Sequence, residues 1–326
     1  MVTGGSDMFR FFIAAVATLL MAASTATPAV VAQTDVSTHV RLASSANDDV
    51  TPVLYAQAQG WFRQAGLDVE LTAVSNGSAV ATAVASSSID IGRSSLLPLI
   101  SAHARGLPFT LIGPSGVYFT GLDTGGIVVL KSSPINSARD LSGKTVSVPA
   151  LNDVQGIATR TWIDKNGGDS STVKFVEATG QESAVALDSN RIAAATLVNP
   201  LMSQILASGK YRMLANPLTG LGSRLLEAAW FATNDYATKN PTVIKKFGDI
   251  LERASAFCNA HPEQTADLLA KFSGMDVETV RHMVRDKYDL KLLPTDIQPL
   301  IDAAAKYKAI AQSFPAAEYI NQNALK

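Results

Sequence analysis

Residues 39–74, HVRLASSANDDVTPVLYAQAQGWFRQAGLDVELTAV, decide how the rest of the chain is read. HVRLASS (39–45) has the length and composition of a strand, and TPVLYAQAQGWFRQAG (51–66) reads as one helix closed by Gly66. LDVELTAV (67–74) is a second strand. A strand, a helical stretch and a strand in that order form a βαβ unit, which predicts a parallel sheet with helices on its faces. Outward from this unit the alternation continues. SAVATAVASSS (78–88) reads as a helix, IDIG (89–92) as a strand, LLPLISAHARG (96–106) as a helix ended by Gly106, and FTLIG (109–113) as a fourth strand.

The same order then returns. GIVVL (126–130) and KTVSV (144–148) are strands, 152–166 is helical, and VKFVEA (173–178) is a strand. The helix QESAVALDS (181–189), the strand AAATLV (193–198), the helix PLMSQILAS (200–208) and the strand YRMLA (211–215) complete it. Individual residues recur as well. Asn47-Asp48 matches Asn152-Asp153, and Ser78-Ala79-Val80-Ala81 matches Ser183-Ala184-Val185-Ala186, both at an offset of 105. The expectation is an α/β protein of two similar lobes, residues 33–120 with 227–326 forming the first and 121–226 the second. The crossings fall near 116–125 and 217–227, glycine-bearing segments suited to a hinge. After a last strand, AAWFAT (228–233), everything reads as helix, with Asn240-Pro241 as a start signal and further helices at 262–272, 276–284 and 296–313. Such a tail is expected to pack back across a lobe already made.

Composition excludes several classes. The 326 residues are 47% hydrophobic, enough for a large core, and the formal net charge of −1 gives no support to nucleic-acid binding. One cysteine, Cys258, precludes an intramolecular disulfide, and with only four scattered histidines no metal or cofactor site is expected. Arg10 precedes the short apolar run FFIAAVATLLMAA (11–23), and Val30 and Ala32 stand in the small-residue places of a cleavage signal. Residues 1–32 therefore read as a secretory signal peptide. No cysteine follows for lipidation, and no later segment is long and apolar enough to span a bilayer. The expected location is the periplasm.

Several segments together carry a family resemblance: GWFRQAGLDVEL (60–71), SSSIDIG (86–92), GIVVLKSSPINSARDLSGKTVSVP (126–149), DSNRIAAATLVNP (188–200) and WFATNDYATKNPTVIKKF (230–247). In their order and spacing the chain resembles the periplasmic substrate-binding proteins of ABC importers, in the branch of nitrate, sulfonate, taurine and pyrimidine-precursor binders. The resemblance implies a two-lobed periplasmic-binding-protein fold of type II. Two doubly wound, mostly parallel sheets would be joined by a two-segment hinge, with a helical C-terminal tail. Two departures stand out. Where the family commonly has Gly-x-(aliphatic)-Asp-Ala, this chain has Asn190-Arg191-Ile192-Ala193-Ala194, and the acidic side chain is absent. The cysteine-rich motif of the related yeast pyrimidine-precursor synthases has no counterpart around Cys258.

In open parallel sheets, ligands sit at the carboxyl ends of the strands, among helix N-termini. Arg93-Ser94-Ser95 follows IDIG and precedes a helix, so it is expected at the cleft. There the guanidinium and the hydroxyls suit the oxygens of an anion. An alternative reading pairs Arg93 with Asp48, Asp49 or Asp153 and leaves the serines as caps. The other strand ends add Ser45, Asn47, Asn76 and Ser78 from the first lobe, and Asn152, Gln181 and Asn199 from the second. Tyr118 and Trp230, near the crossings, are candidates to cover an apolar part of the ligand.

This set is dominated by uncharged amides and hydroxyls, which suit reversible capture better than catalysis. No G-x-S-x-G elbow, P-loop or H-E-x-x-H is present; His39, His103 and His282 lie away from the predicted cleft, and His261 precedes Pro262 at a helix start. The function expected is a monomeric, non-enzymatic receptor that closes on a small organic anion, of sulfonate or carboxylate type. Its partner would be an ABC permease in the inner membrane. The alternatives are a ligand-sensing subunit for a signalling receptor, and a receptor for a neutral heterocycle such as a pyrimidine precursor.

Overall fold

A computed structural model describes residues 37–321; the signal-peptide reading of residues 1–32 lies outside the described residues. Strand β1 (Thr38–Ser45) runs parallel to β2 (Leu67–Val74), from Thr38 opposite Leu67 to Ser45 opposite Val74. Between them lie α1 (Thr51–Ala58) and α2 (Trp61–Gln64) rather than one helix. Gly60 separates them in the left-handed conformation (φ 69°), which side-chain-bearing residues adopt only at a cost. Helix α3 (Gly77–Ala85), β3 (Ile91–Ser95), α4 (Leu96–Ala104) and β4 (Phe109–Pro114) complete the first run.

A short strand, β5 (Gly116–Phe119), leads to β6 (Gly125–Leu130). The second run is then β7 (Thr145–Val148), α5 (Val154–Lys165), β8 (Lys174–Glu177), α6 (Gly180–Asp188), β9 (Ala194–Val198), α7 (Leu201–Ala207) and β10 (Tyr211–Ala215). The turn between α6 and β9 places Asn190 at φ 54°, so asparagine fills the left-handed position that the resembling family gives to glycine. Strands β11 (Arg224–Leu226) and β12 (Ala228–Thr233) bring the chain back. The tail comprises α8 (Asn234–Lys239), α9 (Pro241–Ala260), α10 (Ala266–Ser273), α11 (Val277–His282), β13 (Lys287–Tyr288) and α12 (Pro294–Lys306).

The two runs build five-stranded sheets of the same design. One has the order β2-β1-β3-β12-β4 and the other β8-β7-β9-β6-β10. In each, the fourth strand is antiparallel to its neighbours, β12 in the first and β6 in the second, while β1 pairs parallel with β2 and β3, and β7 with β8 and β9. The segments expected to cross between the runs hold β5 and β11, which pair antiparallel with each other; β13 adds to the far side of β5. The sequence reading gave these segments as glycine-bearing crossings and named no strand in them, because strands of three and four residues are too short to carry an alternation signal.

Packing accounts for the layers. Helix α9 buries Val243, Phe247, Leu251, Ala254 and Cys258, a three-to-four residue spacing that lines one face. That face covers Leu42, Ile91 and Trp230 of the first sheet. The opposite face of the sheet packs α3 and α4, and the same cluster takes in Ile297, Leu300 and Ile301 of α12 together with Ile157 and Ala158 of α5. Each fully buried Leu, Ile or Phe side chain there is worth about 1.5–3 kcal/mol of transfer free energy. The tail therefore packs against both runs, through α12 on α5, beyond the single lobe expected of it. Among the described residues no helix is long and apolar enough to cross a membrane.

Candidate functional site

A cavity of about 350 Å³ opens where the carboxyl ends of the parallel strands in both sheets meet. Three points of the first sheet line it: the turn after β1 (Asn47, Asp48, Asp49), the end of β3 (Arg93, Ser95), and the start of antiparallel β12 (Glu227, Ala228). The second sheet contributes the same three points: the turn after β7 (Asp153, Val154, Gln155), the end of β9 (Val198, Asn199), and Thr124 just before β6. Asp48 and Asp153 are partners under the 105-residue repeat, and Glu227 and Thr124 are partners under the shared strand order. The tail adds Met275, Met283, Val284 and Asp286.

Arg93 sits inside β3, opposite Ser44 on β1 and Trp230 on β12, because the strand continues through Ser95 instead of ending at Gly92. This corrects its expected place after the strand. Side chains alternate along a strand, so Arg93 and Ser95 share a direction and Ser94 takes the other. Accordingly Ser94 is buried without a hydrogen-bond partner, close under Gly77 of α3, and does not reach the cavity.

Arg93 is 2% exposed. Its Nη1 donates to Ser45 Oγ at 2.9 Å, its Nη2 contacts Asp49 Oδ2, and its Nε has no partner. Burial pushes its pKa down to about 10, opposed by the charges of Asp286 and Glu227, so it remains a cation. The pairing with Asp49 is one the sequence had left open. Gly116 lines the cavity beside this carboxylate; a Cβ there would lie 3.4 Å from Asp49 Oδ2.

Other acidic groups surround the pair. Asp48 accepts from Arg285 at 2.6 and 2.8 Å, from the Asp286 N–H at 2.7 Å and from the Tyr288 hydroxyl at 3.0 Å. Asp153 caps α5 through Gly156 N–H at 2.6 Å, and burial raises its carboxyl to about 6. Burial raises Glu227 to about 7 against the pull of Arg93, and it raises Asp286 well above the usual carboxylate range, reinforced by Asp48 and Glu227.

Of the residues singled out from sequence, Asn47, Arg93, Ser95 and Asn199 line the cavity. Asn199 Oδ1 accepts from Ser203 Oγ at 2.6 Å, at the start of α7. Ser45 lies behind Arg93 as its acceptor. Asn76 caps α3 by accepting from Ala79 N–H at 2.9 Å, which occupies its carbonyl in a structural bond. Ser78, Asn152 and Gln181 are exposed and outside the cavity wall, each in or beside the first turn of a helix. Tyr118 and Trp230 are corrections: both are fully buried. Trp230 packs edge-on against Phe247 of α9 at 5.3 Å, because two residues into β12 the chain is already beneath that helix. The residues missed were Gln155, Glu227 and Asp286. The strand-order repeat held a signal for Glu227, whereas Asp286 lies in a tail that only tertiary packing brings to the site. None of the four histidines lines the cavity.

Comparisons with known proteins agree with this architecture. The family described as NMT1/THI5 like matches residues 47–265. A Bacillus subtilis (strain 168) protein provisionally named as binding aliphatic sulfonates is 22% identical over 294 residues, 85% of this chain and 84% of that one. A Legionella pneumophila 4-amino-5-hydroxymethyl-2-methylpyrimidine phosphate synthase is 25% identical over 232 residues, 68% of this chain and 69% of that one. Among solved structures, the periplasmic aliphatic sulphonate binding protein of Escherichia coli superposes with a TM-score of 0.74 at 18% identity, covering 88% of this chain and 93% of that chain.

Proposed function

The chain belongs to the NMT1/THI5-like family, and from that premise we propose that it is an exported solute receptor that closes two lobes around a small molecule and presents it to an ABC importer. One observation carries this reading: equivalent points of two identically ordered sheets line a single cavity. A cavity built half from each sheet binds most tightly when the halves approach, which couples occupancy to closure. The lobes are residues 33–120 with 227–326 and residues 121–226. The paired crossing strands β5 and β11 act as the hinge.

The names of the sulfonate-binding relatives support a small organic acid as ligand, with the cation of Arg93 in the cavity lining to attract it. On this reading the chain is a receptor and not an enzyme, in line with the binding-protein names of its relatives. Cys258, on the buried face of α9, has its thiol pushed up to about 12 by desolvation. The protein acts as an unlipidated periplasmic monomer, and its partner is the importer's permease.

The test is thermal shift and small-angle scattering on protein expressed from the full sequence and exported, against sulfonates, nitrate, carboxylates and neutral heterocycles. A ligand at 100 times its dissociation constant stabilises by about 2.7 kcal/mol. Stabilisation accompanied by contraction upholds the receptor. Stabilisation with conversion of the ligand to a product would replace it with an enzyme.

A further inference from the structure

We propose that residues 274–284, with α11 at their centre, form a flap over the cavity that opens and closes separately from the two sheets. It pivots at Gly274, is fastened at Arg285 and latches to the second sheet through Asn199. The proposal goes beyond the receptor reading, on which it rests only in taking the cavity as the solute's place.

Met275 stands just before α11, and Met283 and Val284 just after it; all three line the cavity. The helix therefore spans the wall with both of its ends in it. Little holds it down. Val280 is its buried residue, and it packs with Ala266 and Leu269 of α10 in a cluster apart from the cores on either face of the first sheet. Asp276 caps the helix through Thr279 N–H at 2.9 Å, and Arg281 bonds Glu278 within it. Arg281 also reaches Asp267 of α10 at 2.9 Å, on an exposed surface where solvent screens the pair. A segment with so few buried contacts belongs to the low-stability end of a fold and opens before the core does.

Its two ends differ in kind. Gly274 ends α10 in the left-handed conformation (φ 73°), and a Cβ built there meets nothing within 4 Å, so the pivot is free of packing. At the other end Arg285 donates to Asp48 at 2.6 and 2.8 Å and to the Pro262 carbonyl oxygen at 3.0 Å, so motion stops there. The latch lies just inside that fixed end. Asn199, which follows β9 of the second sheet, donates from Nδ2 to the Val284 carbonyl oxygen at 3.5 Å. Val198 and Val284 line the same cavity, one from each side, and are 41% and 42% exposed. Seating the flap over a bound solute takes both from water. Swinging the sheets apart is the costlier motion, since Ile157 and Ala158 of α5 share one core cluster with Ile297, Leu300 and Ile301 of α12 and with the first sheet. Lifting α11 parts only the small cluster around Val280. The flap is thus the lower-cost entry to the cavity.

The experiment needs no ligand, so its failure and that of the receptor reading are distinguishable. Thr124→Cys places a thiol in the cavity wall, and Cys258, buried with its thiol pushed up to about 12, is the unreactive control. Labelling by N-ethylmaleimide is followed by intact mass, with and without Val280→Ala, which lies outside the cavity lining. Val280→Ala is expected to speed labelling of T124C about fivefold or more, because labelling of a sheltered group follows the population of the open form. Amide hydrogen exchange quickens only within 266–284. An unchanged labelling rate overturns the flap. Exchange quickened in α9 and β12 as well also overturns it, because the opening is then global. The unmutated chain gives a test in which no variant has to fold. Its residues 274–284 are expected to exchange as one unit, about tenfold or more faster than α9. Equal protection of the two segments overturns the flap. A labelling rate that answers to Asp164→Asn and not to Val280→Ala does the same, since it places the gate between the sheets.

Discussion

Arg93 and Asp49 are a buried ion pair, and such pairs respond asymmetrically to mutation. Removing one partner strands a charge and costs about 3–5 kcal/mol, whereas replacing both by apolar groups of similar size is far milder. Arg93→Ala is therefore expected to lower the urea midpoint strongly, and the double variant Arg93→Met/Asp49→Leu to recover most of the loss. A double variant no better than Arg93→Ala would mean that the pair is not the main partner of either charge. Glu227 makes a prediction in pH. Its carboxyl titrates near 7 in the folded chain, above its ordinary value of 4.5. The folded state thus holds a proton that the unfolded state has released, and stability declines as pH rises through 7. Glutamine cannot ionise, so Glu227→Gln is expected to match the wild type at pH 5 and to melt about 2 °C or more higher at pH 8. The same melting difference at both values would show that Glu227 does not titrate in this window.

At the level of helices and turns, a residue's local duty can be separated from ligand contact. Asn76 accepts from Ala79 N–H at the start of α3. Asn76→Ala should cost about 1 kcal/mol, the usual worth of an N-cap, while leaving affinity for any ligand within twofold. A larger loss of affinity would return Asn76 to the binding site. Asn190 at φ 54° tests the turn between α6 and β9. Alanine there should cost about 1 kcal/mol because its Cβ opposes the left-handed conformation, and glycine should be neutral. Local sequence also misplaced two boundaries for identifiable reasons. Residues 51–66 read as one helix closed by Gly66, although Gly60 in the left-handed conformation parts α1 from α2. Polar Arg93-Ser94-Ser95 looked like a strand's end, but pairing with β1 and β12 on either side carries β3 through them.

Across the molecule, α12 ties the tail to the second run. Asp164 on α5 accepts from Tyr307 hydroxyl at 2.7 Å and from Lys306 Nζ at 3.0 Å. Burial alone would raise this carboxyl, yet Ser170, Tyr307 and Lys306 hold it down to about 2. Its contribution is present above pH 4 and lost only as pH falls toward 2. Asp164→Asn is expected to weaken the tie and enlarge the unliganded protein in small-angle scattering at pH 7, with a lower melting temperature. An unchanged scattering profile would show that α12 and α5 stay together through their apolar contacts alone.

The alternation of short strands and helices, the 105-residue recurrence and the return of the chain at 217–227 were legible along the sequence. They depend on local periodicity and on residues near one another in order. Those features set the α/β class, the repeat and the family likeness before any coordinates. The wall of the cavity was legible only where it follows the strand-end rule, at Asn47, Arg93, Ser95 and Asn199. Glu227 and Asp286 were not, because a carboxylate's surroundings depend on which distant segments fold over it. Asp286 meets Asp48 across a sequence separation of 238 residues. Whether Arg93 faces a ligand as a free cation or spends its charge on Asp49 was likewise decided by tertiary structure. Burial and pairing belong to the three-dimensional neighbourhood, and no local pattern encodes them.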